Sequence, residues 1–279
     1  MLNATEHAPV HYAQPGPLTD LSAISPAALA GIPGDPVAIC RVVPGLVIHP
    51  LGTDGLGLAA ERFDDNQIRP AGGIVRALLA LDPAPLSVPR EPGQRVVGTC
   101  RHFAVLSCAL LRLRGIAARV RCGFGTYFQP GQGLDHWIIE YWQPTDIRWV
   151  RVDTQHLENA FAEHPEDLKS GEFLSGGEAW AAYREDQIDA GQFGVFGTGN
   201  WGPAEIRGNV IRDLAALNKT EMLPWDEWGR MAASYQGETG PDYDALIDEI
   251  AAICAADDAS AIAACFAGAE LQVPADLIR

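Results

Sequence analysis

Cys100 occupies a position in the sequence that suits a reactive thiol. It lies in the stretch GTCRHFAVLSCALLRLRG, residues 98–115. Thr99 is a favourable N-cap, the residues after it continue without Gly or Pro to Leu113, and Gly115 fits a helix stop, which predicts a helix over 100–114. Cys100 then lies at the N-terminus of that helix, where the dipole and unpaired N–H groups favour the nucleophilic thiolate.

Two further residues complete a candidate catalytic set. His136 begins the run DHWIIEYWQ, and Asp153 ends the run RWVRVD. An imidazole beside a thiol acts as base and acid, and a carboxylate behind the imidazole fixes its orientation and tautomer. In two neighbouring antiparallel strands the start of one lies beside the end of the next, so we expect His136 and Asp153 to be adjacent.

The surrounding pattern predicts the elements that position these residues. β-branched and aromatic runs bounded by Gly, Pro and Asp indicate three strands after the Cys100 helix. The sequence also predicts a strand over 37–48 broken by Pro44, a helix-like segment over 21–32, and a helix from about Gly73 to Leu81. Beyond His156 the pattern becomes mainly helical.

Together, GTCRHF, DHWIIEYW and RWVRVDTQ resemble the motifs of the transglutaminase-like superfamily, in the same order and rough spacing. The resemblance covers about residues 98–155. It implies an α+β fold with a papain-type core, in which the nucleophile helix packs on an antiparallel sheet, plus a mainly helical C-terminal lobe. We therefore expect an N-terminal arm and flanking segment over 1–70, a catalytic core over 71–156 and the helical lobe over 157–279, packed on the core as one domain.

Carried over to this chain, the resemblance implies Cys100 as nucleophile, His136 as general base and acid, and Asp153 as the orienting carboxylate. It also suggests Gln94 as a second oxyanion donor beside the Cys100 backbone N–H. The sequence departs from the family pattern at His102, where an acidic residue is common, and at Thr154, where proline is common. No tryptophan precedes Trp137 to match the oxyanion tryptophan of animal transglutaminases.

The neighbours of Cys100 leave alternatives open. His102 either shapes the site or satisfies a neighbouring strand, and Arg101 either reaches a substrate carboxylate or packs elsewhere. Arg119 and Arg121 alternate on one face of ARVRCGFG, as a solvated sheet face or as the lining of a cleft. Residues 92–134 hold six arginines and no Asp or Glu, so we expect a locally positive cleft.

No metal or other cofactor is implied by the sequence. The soft ligands in the central region match no common zinc spacing, and no DxDxDG calcium loop is present; those soft ligands are Cys100, His102, Cys108, Cys122 and His136. For Cys108 and Cys122 we expect a role in core packing, because reduced cysteines are among the most buried residue types.

The net charge of the chain limits the kinds of molecule that it is expected to bind. The 279 residues carry a formal net charge of -16, which disfavours nucleic acid and anionic membranes as partners. The first 26 residues lack the basic and apolar regions of a secretory signal, and the six cysteines show no CxxC pair, so we expect a cytoplasmic chain with reduced thiols.

These observations predict a cysteine-dependent acyl-transfer enzyme that acts on a peptide, a protein, or a small amide or thioester. Hydrolysis of peptide or amide bonds through an acyl-enzyme is the first interpretation. Transfer of the acyl group to an amine, including biosynthetic amide formation, is the alternative within the same chemistry. A non-catalytic binding domain on the same fold is the alternative from a different class.

Overall fold

The computed structural model describes residues 9–159 and 161–278, and over these residues the chain is an α+β protein, as predicted. The helices are α1 Val10–Ala13, α2 Pro36–Val42, α3 Ala71–Leu81, α4 Cys100–Leu113, α5 Gly176–Arg184, α6 Pro203–Leu217, α7 Met231–Tyr235, α8 Pro241–Ala256 and α9 Ala259–Phe266. The strands are β1 Val47–Ile48, β2 Val96–Val97, β3 Ala118–Gly125, β4 Gly133–Gln143, β5 Arg148–Val152, β6 Phe173–Ser175 and β7 Phe193–Gly194.

The chain divides into two compact units. The first contains the residues up to Val120 together with Ile138–Leu168, and the second contains Arg121–Trp137 and the residues from Lys169 onward. Strands β3 and β4 each contribute residues to both units. The division of the chain into an arm, a core and a lobe stays a prediction.

Helix α4 is buried over nearly its whole length. Every residue from Cys100 to Arg112 is buried, and the helix contacts α1, α2, α3 and the 3-10 turn at Thr154–His156. The predicted helix over 100–114 is confirmed, with Arg114 as C-cap and Gly115 at φ +73°, the left-handed conformation that glycine adopts at a helix end.

Two predictions for the N-terminal part of the chain are wrong. The expected strand over 37–48 is helix α2 followed by a 3-10 turn, and only Val47–Ile48 is extended. Its β-branched run is helical because the Asp35 carboxylate accepts a hydrogen bond from the Ala38 N–H at 2.8 Å, and Pro36 occupies the first helical position.

The expected helix-like segment over 21–32 is a series of turns. The backbone bonds in this segment join residues three apart, from the Ala28 N–H to the Ser25 carbonyl oxygen at 3.1 Å and from the Ala30 N–H to the Ala27 carbonyl oxygen at 3.3 Å, so they close single turns. Gly31, at φ +76°, then turns the chain out of a helical path. The helix expected from about Gly73 is confirmed as α3, which begins at Ala71 and ends at Leu81.

Strands β4 and β5 form the sheet of the first unit with the beginning of β3. They pair antiparallel, with Ile139 opposite Val152 and Gln143 opposite Arg148. Glu140 on β4 bridges two arginines: its oxygens lie 2.6 Å from the Arg119 Nε and 2.9 Å from the Arg151 Nε. The Arg119 guanidinium also lies over the Trp149 ring, 4.0 Å from its centroid.

In the second unit, β6 pairs antiparallel with the end of β3, and β7 pairs parallel with the start of β4. Strand β6 approaches so closely that a Cβ at Gly123 would lie 2.0 Å from the Leu174 carbonyl oxygen, so only glycine fits there. Helices α5, α6 and α8 contact one another, and α6 also contacts β6 and β7. The described part of residues 157–279 is thus mainly helical, with two short strands that the sequence pattern did not reveal.

Arg121 is held in the second unit by a buried pair with Asp213 of α6. Its Nε and Nη2 lie 2.9 and 2.8 Å from the two Asp213 oxygens. Because Arg119 and Arg121 are 4% and 5% exposed, the interpretation of a solvated sheet face is wrong. Their carboxylate partners come from beyond the acid-free stretch 92–134.

No helix among the described residues combines the length and the hydropathy that crossing a bilayer requires. A cytoplasmic location stays a prediction.

The buried bridge of Glu140 generates a stability prediction. We expect Glu140→Gln to lower the free energy of unfolding by about 3–5 kcal/mol, because it leaves Arg119 buried without its counter-charge. The matched control is Asp167→Asn, which breaks a bidentate pair with Arg148 on the same strand as Arg151 but with side chains that are 30% and 45% exposed. That change should cost less than about 1 kcal/mol. Urea unfolding measures both, and equal losses would contradict the prediction.

Candidate active site

Cys100 is the first residue of α4 and is 7% exposed. Thr99 precedes it in extended conformation, and no acidic residue lies in the first helical turn. The thiol therefore sits at the positive end of the dipole of a 14-residue helix. The role of Cys100 as a nucleophile stays a prediction.

His102 serves the start of the helix. Its Nδ1 accepts a hydrogen bond from the Thr99 backbone N–H at 3.1 Å, which is the reciprocal half of a capping box with histidine where glutamate or glutamine is usual. The side chain is buried, and desolvation, followed by the positive charge of Arg101, lowers the pKa of His102 to about 3. The imidazole is therefore neutral at neutral pH and structurally engaged, while a role in substrate binding stays a prediction.

Arg101 and Gln94 lie in different surroundings. The Arg101 residue is fully buried, and its Nη1 donates to the Ile68 carbonyl oxygen at 3.3 Å. Gln94 is exposed and ends the 3-10 turn Pro92–Gln94, just before β2. The oxyanion or substrate roles of both residues stay predictions.

His136 lies near the start of β4, in the second unit, and is 3% exposed. Two aromatic rings of the β3–β4 connection meet it edge to face, with the Phe128 centroid 5.0 Å and the Tyr127 centroid 6.4 Å from the imidazole centroid. Such walls restrict the orientation of the ring and keep water away from it.

A buried polar network of the second unit holds the residue before His136. Asp135 accepts from the Asn209 Nδ2 at 2.8 Å, and the Asn209 Oδ1 accepts from the Arg212 Nη1 at 3.1 Å. Burial, followed by repulsion from Glu205, raises the pKa of Asp135 to about 7. The start of β4 is thus fastened to α6 by side-chain bonds one residue from the predicted base.

Asp153 directly follows β5 and is fully buried. It is the N-cap of the 3-10 turn Thr154–His156, and its Oδ1 lies 3.3 Å from the His156 backbone N. Its Oδ2 lies 2.8 Å from the His156 Nδ1. Asp153 and the helix that begins at Cys100 both belong to the first unit. The turn that Asp153 caps packs against α4.

His156 is the residue that the sequence analysis missed. It belongs to the motif RWVRVDTQH, but only its spacing of three from an N-cap aspartate indicates a contact. An aspartate three residues before another polar residue is common in turns that have no role in catalysis, so the spacing alone does not mark His156 as a site residue.

Comparison with known proteins agrees with the motifs. Residues 87–154 match the model of the Transglutaminase-like superfamily. We call this segment, which is similar to that family, the transglutaminase-like core. It contains Cys100 and Asp153 with every element between them.

A curated relative of this core is the protein-glutamine gamma-glutamyltransferase of Pseudomonas aeruginosa, strain PAO1, which is 29% identical over 153 residues. The alignment covers 50% of this chain and 19% of the relative, so the chain matches about a fifth of that protein's length. A search of solved structures found no match. At the level of the family, the transglutaminase-like core supports acyl transfer.

The capping role of His102 generates a pH prediction. The pKa of His102 is lower in the folded chain than its ordinary value of about 6.5, so the unfolded state binds the extra proton and stability falls as pH drops below about 6.5. His102→Gln keeps the capping acceptor without the titration. We expect the variant to lose about 2 kcal/mol less than wild type between about pH 7 and pH 4.5.

Urea unfolding at several pH values measures this difference. The control His164→Gln removes an imidazole from an exposed loop and should follow the wild-type curve. A His102→Gln curve parallel to wild type would show that burial of this imidazole does not penalise its protonation.

Proposed function

We propose that the chain is a cysteine-dependent acyl-transfer enzyme in which Cys100, His136 and Asp153 form the catalytic triad. The observation that carries the proposal is the position of Cys100, the first residue of a buried helix inside the transglutaminase-like core. A thiol at that end of a helix is activated by the chain itself.

The register of β4 and β5 supports the other two members. Ile139 lies opposite Val152, and Asp153 is the next residue after Val152. Extending this register by one residue would put residue 138 opposite Asp153, with His136 two residues earlier on the same face of β4. Diagonal neighbours of this kind are within reach of long side chains.

The chemistry follows from these roles. His136 takes the proton of the Cys100 thiol, and the sulfur attacks the carbonyl carbon of an amide or thioester. The carbonyl oxygen becomes an oxyanion, for which the Cys100 backbone N–H is one donor and Gln94 is the second. When the tetrahedral intermediate collapses, the bond to the leaving group breaks and His136 gives it the proton.

The acyl-enzyme that remains is a thioester on Cys100. Water activated by His136 releases a carboxylic acid, which is hydrolysis, whereas an amine releases a new amide. Hydrolysis needs no second binding site and is the first candidate. Transfer to an amine is the second, and it is favoured by the name of the Pseudomonas relative, a gamma-glutamyltransferase.

Thiol labelling tests the nucleophile without knowledge of the substrate. We expect iodoacetamide at about pH 6 to modify Cys100 at least about 10-fold faster than the other five cysteines, measured by peptide mass spectrometry. Cys265 is the internal control, because it is more exposed than Cys100 while burial, followed by Glu249, raises its pKa. Burial also raises the pKa of Cys40 to about 12.

The variant His136→Ala should reduce the labelling rate of Cys100 to that of the other thiols, because the thiolate loses its imidazolium partner. The matched control is His164→Ala, which leaves the predicted site intact. Equal slow labelling of all six cysteines would contradict the enzyme and favour a non-catalytic binding domain.

A further inference from the structure

The geometry of Asp153 points to a second histidine in the site. Both carboxylate oxygens face the same residue: Oδ2 lies 2.8 Å from the His156 Nδ1, and Oδ1 lies 3.3 Å from the His156 backbone N. Asp153 is 0% exposed and His156 is 7% exposed. A buried carboxylate is thus held on one side by two donors from a single residue.

The contacts of His156 define its tautomer. An ionised carboxylate only accepts hydrogen bonds, so the His156 Nδ1 carries the proton that lies between them. The Gln155 Nε2 lies 3.3 Å from the His156 Nε2, and an amide N–H donates there to an imidazole nitrogen that has no proton. Both contacts are satisfied by one form, the neutral imidazole with its proton on Nδ1.

The turn around this pair is fixed on the backbone as well. The Asp153 N–H donates to the Pro165 carbonyl oxygen at 2.8 Å. The imidazole of His156 meets the Phe161 ring edge to face, with centroids 5.0 Å apart. The His156 donors therefore approach Asp153 from a constrained direction.

We propose that His156 is a positioning residue that fixes the orientation of the Asp153 carboxylate toward His136. This inference rests on the proposed function. A carboxylate offers about four acceptor positions, and His156 occupies two of them. His156 is thus the partner that selects one carboxylate rotamer, much as outer hydrogen bonds orient the ligands of a metal site.

Capping of the turn by Asp153 does not explain why residue 156 is a histidine. The backbone N–H of residue 156 caps the turn whatever the side chain, because the acceptor belongs to Asp153. The His156 Nδ1–H adds a hydrogen bond to the Asp153 Oδ2, and a side chain without a donor at that position cannot form it. Variants that differ in that donor separate positioning from packing.

The first test compares His156→Leu, which keeps the bulk and removes the donor, with His156→Asn, whose amide N–H falls near the Nδ1 position. We expect His156→Leu to slow iodoacetamide labelling of Cys100 at about pH 6 by about 10-fold or more, as Asp153→Ala does. His156→Asn should stay within about threefold of wild type. The control His164→Leu makes the same change in an exposed loop and should label as wild type does.

Circular dichroism at the labelling temperature confirms that each variant is folded. If His156→Leu labels Cys100 as fast as wild type, His156 does not position Asp153 and the inference is wrong. Equal slowing in His156→Leu and His156→Asn would also overturn it, because the donor then has no special effect. Failure of wild-type Cys100 to label selectively would instead contradict the proposed function.

A second measurement needs no variant to be active or fully stable. In chain labelled with nitrogen-15 histidine, NMR should show the His156 Nδ1 protonated and its Nε2 unprotonated at neutral pH, with His156→Asn used only to assign the signals. The opposite tautomer would overturn the inference, because an Nδ1 without a proton cannot donate to Asp153.

Discussion

The buried carboxylate of Asp153 is the constraint on which the site depends. Asp153 is 0% exposed, and burying a carboxylate without hydrogen-bond partners would cost the folded state several kcal/mol. The chain meets this requirement with the turn Thr154–His156, whose last residue gives both a backbone and a side-chain bond. The same turn packs against α4, so the element that satisfies Asp153 also abuts the helix that begins at Cys100.

The arginines show how the chain balances charge over long sequence distances. Residues 92–134 contain no acid, yet Arg119 pairs with Glu140 on the neighbouring strand and Arg121 with Asp213 on α6. An acid-free window in the sequence therefore does not by itself make a positive surface. Ion pairs at this depth are expensive to break, because removing one partner leaves a buried charge.

Much of the fold could be predicted from local signals. Helix α4 is defined almost to the residue by Thr99, by a run without Gly or Pro to Leu113, and by Gly115. Strands β3, β4 and β5 are defined by their β-branched and aromatic residues. Helix α2 was misread as a strand because Ile and Val suit both structures, and the decisive bond from the Ala38 N–H to Asp35 is a single capping contact. The short strand β6 depends on pairing with β3, which no local pattern reveals.

The candidate site was predictable only in part. Cys100, His136 and Asp153 could be found because their residue types, order and elements agree with one chemistry. Histidine is a residue type that active sites often use, but the His102 side chain closes a capping box. Only its burial and the hydrogen bond that it accepts from the Thr99 N–H reveal this structural role. His156 has no motif of its own, since its significance comes from a rotamer that places Nδ1 on Asp153.

The most direct measurement is the mass of the chain during turnover. The protein is mixed with a panel of amides, peptides and thioesters, quenched in acid within seconds, and analysed intact and after digestion. We predict that at least one substrate adds the mass of its acyl group to the peptide that contains Cys100, and that Cys100→Ala abolishes this adduct. An adduct that survives in Cys100→Ala, or turnover of a substrate by that variant at the wild-type rate, would contradict acyl transfer through Cys100.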